Sequence, residues 1–284
     1  MTVSIGRYAV IGNPVTHSKS PIIHTLFAAS TQQQLRYMTL EVEQSQFESA
    51  VTNFFNKGGQ GLSVTAPFKQ NAWKLAKIKT EQAQQAGAVN TLWLSEEGDL
   101  KGDNTDGLGL IRDLQDNNNL LLSNLNVLIL GAGGAARGII APLLHAQPAE
   151  IVIANRTTSR AKSLIDLFLN NYCQVHTTKL SACSFNMLKG PFDLIINATS
   201  ASLQGKELAI PACIINTATV GYDMMYGAKE TVFNQWARNA GAKVCLDGLG
   251  MLVEQAAEQF LIWRGIQPET GEVLQTVRKM LSQT

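Results

Sequence analysis

The sequence predicts an α/β protein made of two α/β domains. Segments with the apolar pattern of strands alternate with helix-like segments along the whole chain, which is typical of α/β folds with parallel sheets. An apolar run at residues 127–130 leads directly into a glycine-rich turn that a helix-like segment follows. The chain has 284 residues, of which 45% are hydrophobic and 16% charged, and this favours a well-buried globular protein of one large or two modest domains.

The first part of the chain is predicted to alternate strands with helices. Strands are expected at residues 7–11, 36–42, 61–65, 88–94 and 100–101. A first helix should open at Ser20 and Pro21, because serine is a favourable N-cap and proline suits the first helical position. The next helix should end at Asn56, before two glycines, and a third should run from Pro67 to about Ile78.

The rest of the chain continues the alternation in a second strand–helix series, which begins at residues 105–116. Its strands are expected at residues 127–130, 151–154, 193–197, 220–223 and 243–246. Two helices, at residues 250–263 and 268–281, follow the last strand.

Two glycine-containing turns, at residues 102–107 and 247–250, are candidate crossings between the domains. A chain that crosses twice returns its C-terminal helices to the first domain. We therefore expect one domain of residues 1–105 plus 248–284 and a second of residues 106–247. A cleft between the two domains is then the natural ligand site.

The turn after residues 127–130 has the small-residue spacing of a dinucleotide-binding fingerprint. Gly131, Gly133 and Gly134 are followed by Ala136 in the third small position. In such a turn the small residues permit a tight bend, the approach of a pyrophosphate and close packing of helix on strand. The free N–H groups at the helix N-terminus then bind the phosphates.

The end of the next strand indicates which dinucleotide is bound. NAD-binding domains place an acidic residue there to bond the ribose 2′-hydroxyl. Here Asn155, Arg156 and Thr157 follow the strand, Arg160 comes one turn later, and no carboxylate is present. Two guanidinium groups and a hydroxyl suit a 2′-phosphate, so the segment predicts NADP. The alternative is an ordinary strand–helix turn with surface arginines.

Polar residues also follow the first predicted strand, at the end where α/β sheets bind ligands. Ser18 and Ser20 lie next to a predicted helix N-terminus, so their hydroxyls are suited to a carboxylate. The alternative is a loop with an N-cap.

Further candidates lie in three other turns. Lys69 falls in a predicted first helical turn, where the helix dipole disfavours a cation, and this suggests a functional role. Thr65 is a candidate cap of the same helix, while Asp103 and Asp106 are candidate helix caps in a polar turn. Lys69, Asn90 and Asp106 carry chemistry together only if the fold brings them close.

Composition excludes several classes of function. A formal net charge of +1 gives no basic field for nucleic acid or an anionic membrane. The N-terminal residues lack a signal-peptide pattern and residues 120–144 are too broken by polar residues for a membrane span, so a cytoplasmic protein is expected. The cysteines are expected to be buried and reduced, and the histidines lack metal-ligand spacing, so no metal is expected. The four cysteines are Cys173, Cys183, Cys213 and Cys245, and the four histidines are His17, His24, His145 and His176.

Together these segments resemble shikimate dehydrogenase over essentially the whole chain. The matching pieces are G-N-P-V-T-H-S-K-S-P (12–21), V-T-A-P-F-K (64–69), G-A-V-N-T (87–91), G-D-N-T-D-G (102–107), G-A-G-G-A-A-R (131–137), N-R-T-T-S-R (155–160), N-A-T-S (197–200), Y-D-M-M-Y (222–226) and D-G-L-G-M-L-V-E-Q-A (247–256). The resemblance implies an N-terminal substrate domain and a Rossmann-type NADP-binding domain. The implied enzyme interconverts shikimate and 3-dehydroshikimate in aromatic amino-acid (chorismate) biosynthesis.

The same resemblance assigns roles to individual residues. Lys69 and Asp106 would form the catalytic pair, and Ser18 with Ser20 would bind the shikimate carboxylate. The residues that would contact the ring substituents are Thr65, Asn90, Asp106, Tyr226 and Gln255. Those that would hold NADP are Gly131, Ala132, Gly133, Gly134, Ala135, Asn155, Arg156, Thr157 and Arg160, with Met224 and Gly248 approaching the nicotinamide.

Two positions depart from the family pattern, and two alternative functions stay open. Ser63 stands where asparagine is usual, which puts a substrate contact or a turn hydrogen bond in question, and Ala228 stands where proline is common. The alternatives are a quinate/shikimate dehydrogenase of broader specificity and a non-catalytic NADP-binding sensor. The presence of both Lys69 and Asp106 argues against the sensor. With a small molecule as substrate and no obvious interface in the sequence, a monomer or homodimer is expected.

Overall fold

The computed structural model describes residues 5–171, 177–199, 201 and 205–283. The chain divides into two compact units, as the sequence predicts. The first comprises Met1–Gly109 and Leu252–Met280, and the second comprises Leu110–Met251 and Leu281–Thr284. Cys173, His176 and Ser200 lie outside the described residues.

The first unit is built on a sheet of six described strands in the order β2-β1-β3-β5-β6-β4. These strands are β1 (Gly6–Gly12), β2 (Leu35–Glu41), β3 (Gly61–Val64), β4 (Ile78–Lys79), β5 (Thr91–Leu94) and β6 (Leu100–Asp103). The helices that start in this unit are α1 (Ser20–Ser30), α2 (Phe47–Asn56), α3 (Lys69–Leu75), α4 (Glu81–Ala86) and α5 (Asp106–Arg112). A π-helical segment, Asp113–Asn117, continues α5 into the second unit.

The first sheet is mixed, and the expected strand pair at residues 88–94 and 100–101 forms its antiparallel part. Strands β1, β2 and β3 are parallel, but β5 is antiparallel to both β3 and β6. The reason is the short turn between β5 and β6, since a tight hairpin forces neighbouring strands to run in opposite directions.

Several predicted boundaries need correction. Helix α3 ends at Leu75 rather than near Ile78, because the next residue is extended (Ala76, ψ 124°) and Ile78 then pairs with β6. Helix α1 includes Ser20, so Ser20 is not its N-cap, although the Ser18 hydroxyl accepts the Ser20 N–H (3.2 Å). Thr65 is likewise not the cap of α3, which begins four residues later.

The second unit is built on a parallel sheet of six described strands in the order β12-β11-β10-β7-β8-β9. The strands are β7 (Asn126–Leu130), β8 (Glu150–Ala154), β9 (Lys179–Cys183), β10 (Leu194–Asn197), β11 (Val220–Asp223) and β12 (Val244–Asp247). The helices of this unit are α6 (Gly134–His145), α7 (Thr158–Asn171) and α8 (Val232–Asn239). Two further helices, α9 (Leu249–Arg264) and α10 (Gly271–Ser282), belong mostly to the first unit, which takes up the chain again at Leu252. This strand order is that of the Rossmann fold and confirms the predicted type of domain.

Alternation along β7 shows how both faces of the second sheet are covered. Val127 and Ile129 pack in a cluster with α6 and α7, whereas Leu128 and Leu130 pack in another cluster that includes α8. Successive side chains of a strand point to opposite faces, so a continuous apolar strand is what a sheet buried on both sides requires. Among the elements of this unit, β9, α7 and α8 are not predicted in the sequence analysis.

The described cysteines are free, and one of them corrects the expectation of burial. Cys213 is exposed, because it lies in a short 3₁₀ turn whose only buried side chain is Ile214. Cys183 and Cys245 are partly buried, and burial raises the pKa of both thiols. Within the described part of the chain, no helix has the length and hydropathy of a membrane span, and no three potential ligands cluster as a metal site would need.

The first unit buries a histidine among aromatic rings. His24 on α1 is 1% exposed and stacks on Tyr37, with ring centroids 4.4 Å apart and an interplanar angle of 9°. Phe27, Phe260 and Trp263 surround it. Burial lowers the pKa of His24 from 6.5 to about 3, and the nearby Gln259 side chain acts in the opposite direction. Neither ring nitrogen has a partner with good hydrogen-bond geometry, so burial determines the direction of the shift.

This histidine should make stability depend on pH. Below pH 6.5 the unfolded chain binds a proton that native His24 does not bind until about pH 3. As the pH decreases through that window, His24 alone should therefore lower the free energy of unfolding by about 1.4 kcal/mol per pH unit. Urea unfolding should show this slope between about pH 6 and about pH 4.5 in the wild type, and His24→Phe should lose the part of it that comes from His24. The matched variant His145→Phe, at an exposed position, should keep the slope, and an unchanged slope in His24→Phe would contradict the assignment.

Candidate active site

The strand register of the first unit brings four polar turns to one edge of the sheet. β1 and β3 are parallel neighbours, so the segments that follow them leave the sheet at the same edge. β5 runs the opposite way and starts at that edge, where Thr91 pairs with Ser63 on one side and with Asp103 on the other. The turns that carry Ser18, Lys69, Asn90 and Asp106 are therefore side by side.

Lys69 and Asp106 form a close ion pair at this edge. Lys69 Nζ lies 2.5 Å from Asp106 Oδ2, and the two side chains are 21% and 7% exposed. Lys69 is the first residue of α3, which confirms the predicted position in a first helical turn. The carboxylate offsets the unfavourable helix dipole, and the partly open ammonium group remains able to exchange a proton.

Asn90 connects the ion pair to the rest of the edge. This side chain is 2% exposed, and its Nδ2 donates to Asp106 Oδ1 (2.8 Å) and Thr105 Oγ1 (2.9 Å). Its Oδ1 accepts from the Thr105 backbone N–H (2.9 Å) and the Thr91 hydroxyl (2.7 Å). Both ends of the amide are thus satisfied, which fixes its orientation and leaves Oδ2 of Asp106 for Lys69.

Helix α9 contributes Gln255 to the same cluster. Gln255 Oε1 lies 3.3 Å from Asn90 Nδ2, and the Gln255 backbone carbonyl accepts from Thr105 Oγ1 (3.1 Å). Thr105 thus positions both Asn90 and α9, a function that sequence reasoning missed although it had noted the surrounding turn. Thr65 lies beside this group, where its N–H donates to the Ile11 carbonyl (2.9 Å) and its methyl group leaves no room for a β-carbon at Gly12.

The two serines predicted to bind a carboxylate lie together. Ser18 Oγ donates to Ser20 Oγ (3.2 Å), and Ser20 is 6% exposed. Ser20 also interacts with the hydroxyl of Tyr37, which lies 2.6 Å from Ser63 Oγ. Burial raises the pKa of Tyr37, so this hydroxyl stays protonated at neutral pH.

Ser63, the departure from the family pattern, has buried partners of its own. Its hydroxyl donates to Gln259 Oε1 (2.6 Å), and Gln259 Nε2 donates to the Asn90 carbonyl (3.3 Å). A chain of hydrogen bonds therefore runs from Ser20 through Tyr37 and Ser63 to the ion-pair cluster. Tyr37 and Gln259 carried no local signal in the sequence.

In the second unit, the glycine-rich turn between β7 and α6 is open where a dinucleotide would need it. Gly131 has φ 108°, a conformation that favours glycine, and a β-carbon there would press on the Ala198 carbonyl at 3.1 Å. A β-carbon at Gly133 or Gly134 would meet nothing within 4 Å, so space is open beside the start of α6. Ala136 is fully buried in the helix–sheet contact, as the third small position requires.

The turn after β8 presents its predicted 2′-phosphate residues to solvent. Arg156, Thr157 and Arg160 are exposed, and Asn155 Nδ2 donates to the Thr157 carbonyl (2.9 Å), which holds the turn in shape. Neither guanidinium is paired with a carboxylate within the described part of the chain. Two exposed cations without anionic partners at the end of a Rossmann strand suit a phosphate.

Met224 and Gly248 meet in the second unit. The Gly248 N–H donates to the Met225 carbonyl (3.0 Å), and a β-carbon at Gly248 would overlap the Met224 carbonyl. Tyr226, predicted to contact substrate, follows in the same segment and is partly exposed. By its place in the chain it belongs to the second unit.

These two units define a class of protein. A Rossmann unit with an open glycine turn and exposed 2′-phosphate cations indicates an NADP-dependent dehydrogenase. The other unit contains a lysine–aspartate ion pair, and such side chains are among the groups that transfer protons in enzymes.

Comparison with known proteins identifies the family. The profile described as "Shikimate dehydrogenase substrate binding domain" matches residues 10–92, "Shikimate / quinate 5-dehydrogenase" matches residues 114–205, and "Shikimate 5'-dehydrogenase C-terminal domain" matches residues 248–278. A Marinobacter nauticus protein named "Shikimate dehydrogenase (NADP(+))" is 52% identical over 271 residues, 95% of this chain and 98% of that protein. A Vibrio cholerae protein of the same name is 50% identical over 281 residues, 99% of both chains.

A solved structure agrees with the sequence relatives. The crystal structure of Thermus thermophilus shikimate 5-dehydrogenase in complex with NADP(H) and shikimate is similar with a TM-score of 0.85 and 29% identity. The similarity covers 98% of this chain and 100% of that one. The chain belongs to the shikimate dehydrogenase family.

Cofactor choice should depend on Arg156. Arg156→Ala should weaken NADP binding by about 10–150-fold, because one charge-assisted bond to the 2′-phosphate contributes roughly 1.5–3 kcal/mol. Affinity for NAD should stay nearly unchanged. Titration calorimetry with both cofactors measures the difference, and Arg36→Ala, at an exposed position in the first unit, is the matched control. Unaltered NADP affinity in Arg156→Ala would remove this turn from the 2′-phosphate site.

Proposed function

We propose that this protein catalyses the reversible NADPH-dependent reduction of 3-dehydroshikimate to shikimate in aromatic amino-acid (chorismate) biosynthesis. The observation that carries the proposal is the Lys69–Asp106 ion pair beside a serine pair suited to a carboxylate. The names of the relatives that are about half identical to this chain support the same reaction and cofactor.

The two units divide the work. We assign residues 1–105 plus 248–284 to the substrate domain and residues 106–247 to the NADP-binding domain. The chain passes between the two compact units four residues later at both crossings, so Asp106 lies in the first unit and Gly248 in the second. The substrate assignment rests on the polar edge of the first sheet, and the cofactor assignment rests on the open turn and free cations of the second.

NADP fits the residues of the second unit. Residues 131–135 bind the pyrophosphate through backbone N–H groups, since the helix N-terminus is unobstructed there. Arg156 and Arg160, with Asn155 and Thr157, hold the 2′-phosphate. Met224 and Gly248 lie at the nicotinamide, which supplies the hydride chemistry when NADP is bound.

Substrate orientation is the work of the first unit. The Ser18 and Ser20 hydroxyls bind the carboxylate, because both can turn their protons toward an anion that replaces their mutual contact. Asn90 and Gln255, with Thr65, fix the ring hydroxyls from the sheet edge, and Tyr226 adds a contact from the second unit. A substrate held at several points has one pose, which is what hydride transfer requires.

Proton transfer is the work of Lys69 and Asp106. During oxidation of the alcohol, the neutral Lys69 amine accepts the hydroxyl proton, and during reduction the ammonium group protonates the forming alkoxide. Asp106 orients the amine and bonds the same hydroxyl.

The cellular setting is also proposed. The free thiols of Cys183, Cys213 and Cys245 support a cytoplasmic location, where thiols stay reduced. The protein acts on its small-molecule substrate as a monomer or homodimer.

One assay tests the proposed reaction. Purified protein mixed with shikimate and NADP should raise absorbance at 340 nm, while shikimate with NAD should react much more slowly. Equal rates with quinate would favour the broader quinate/shikimate dehydrogenase. NADP binding without any turnover of shikimate or quinate would contradict the enzymatic proposal and favour a sensor.

Turnover should depend on Lys69. Lys69→Met keeps the bulk of the side chain and removes its proton, so turnover should fall by roughly 10²–10⁴-fold. NADP affinity should remain, because the proposed cofactor residues belong to the other unit. Steady-state kinetics and NADP titration measure both effects. The matched control is Lys74→Met, at an exposed position on the same helix, which should behave as wild type. A folded Lys69→Met protein with wild-type turnover would exclude Lys69 from the mechanism.

A further inference from the structure

The second unit contains a buried carboxylate that the proposed mechanism does not use. Asp113 begins the π-helical segment after α5 and is 3% exposed. Its Oδ2 accepts from the Tyr222 hydroxyl (2.6 Å), and its Oδ1 accepts from the side-chain amides of Asn117 (3.0 Å) and Asn118 (3.3 Å). Burial raises the pKa of Asp113, while these hydrogen bonds favour its ionised form.

The same carboxylate holds the start of α9. The Met251 backbone N–H donates to Asp113, and this N–H is one of the first-turn groups that have no partner within a helix. A β-carbon at Gly250 would overlap the Asp113 carboxylate, so the helix backbone approaches it as closely as glycine permits. Negative charge at a helix N-terminus is favourable, which strengthens this contact.

The two elements joined by Asp113 also form the contact between Met224 and Gly248. Tyr222 lies on β11, two residues before Met224, and is fully buried. Gly250 lies two residues after Gly248, whose N–H donates to the Met225 carbonyl (3.0 Å). One carboxylate therefore bonds both chain segments close to Met224 and Gly248, through Tyr222 and Met251.

We propose that Asp113 is a positioning residue for the nicotinamide end of NADP. It acts through Tyr222 on the Met224 segment and through Gly250 and Met251 on Gly248. The inference rests on the proposed function, because it assumes that Met224 and Gly248 lie at the nicotinamide. It adds a residue outside the recognised motifs and a reason for the glycine at position 250.

Asparagine at position 113 keeps the shape but cannot satisfy the same donors. The Asp113 carboxylate accepts from Tyr222, from two asparagine amides and from a backbone N–H. An amide presents an NH₂ group in place of one oxygen, so at least one buried donor faces another donor. A buried donor without a partner is costly, and the two segments should separate to relieve it.

The test combines turnover, an isotope effect and binding of a cofactor fragment. Asp113→Asn should lower kcat about tenfold or more, and the deuterium isotope effect on kcat should increase with shikimate labelled at the oxidised carbon. The increase is expected because a poorly placed nicotinamide makes hydride transfer rate-limiting. Affinity for 2′-phospho-ADP-ribose, which lacks nicotinamide, should stay within about twofold in titration calorimetry, because its proposed contacts lie at the glycine turn and Arg156.

Two further variants keep the outcome clear. Asp116→Asn, at an exposed position in the same π-helical segment, should behave as wild type. Tyr222→Phe removes one of the bonds and should shift kcat and the isotope effect in the same direction by a smaller amount, which tests the proposal even if Asp113→Asn does not fold.

Three results would overturn the proposal: an unchanged kcat, a reduced kcat with an unchanged isotope effect, or an equal loss of affinity for the fragment. An unchanged isotope effect, or an equal loss of affinity for the fragment, would indicate that Asp113 has a purely structural role. Failure of the proposed function is separate, since it would show as a wild-type protein that does not oxidise shikimate with NADP.

Discussion

The orientation of one buried amide, that of Asn90, is the constraint on which the first unit depends. Its amide nitrogen and oxygen bond Asp106, Thr105 and Thr91, and its backbone carbonyl accepts from Val64 (2.7 Å). A buried amide that is fully bonded cannot rotate without leaving donors and acceptors unpaired. The direction of Asp106, and with it the place of the Lys69 ammonium group, is therefore set by the meeting of β3, β5 and α5.

The two units present different kinds of chemical groups at their candidate sites. In the first unit, hydrogen bonds within the protein already join the side chains from Ser20 through Tyr37 and Ser63 to Gln259, which suits the proposed small polar substrate. Such a network is pre-organised, so little ordering is left for the moment of binding. The second unit has an open glycine turn at a helix N-terminus and two arginines that pair with no carboxylate among the described residues, which suits a large ligand with charged phosphates.

The sequence predicted much of this arrangement wherever the chemistry is local. The glycine turn and the position of Lys69 in a first helical turn each depend on a few consecutive residues, so local patterns were sufficient to predict them. The 2′-phosphate role of residues 155–160 stays a prediction. The direction of β5 was missed, because it depends on a hairpin that composition does not reveal. Tyr37 and Gln259 were missed because they lie 26 and 196 positions from Ser63, whose hydroxyl they contact. Asp113 was missed for the same reason, since its partner Tyr222 is 109 positions away.

The central claim is that Lys69 and Asp106 act as one proton-transfer unit, and a double-mutant cycle on kcat/KM tests it most directly. The cycle compares Lys69→Met, Asp106→Asn and the double variant with the wild type, after each has been shown to fold and to bind NADP. Groups that act as a unit give strongly non-additive losses. The account predicts that the double variant is about as slow as the slower single variant. A double variant whose loss equals the product of the two single losses would show that the residues act independently and would contradict the account.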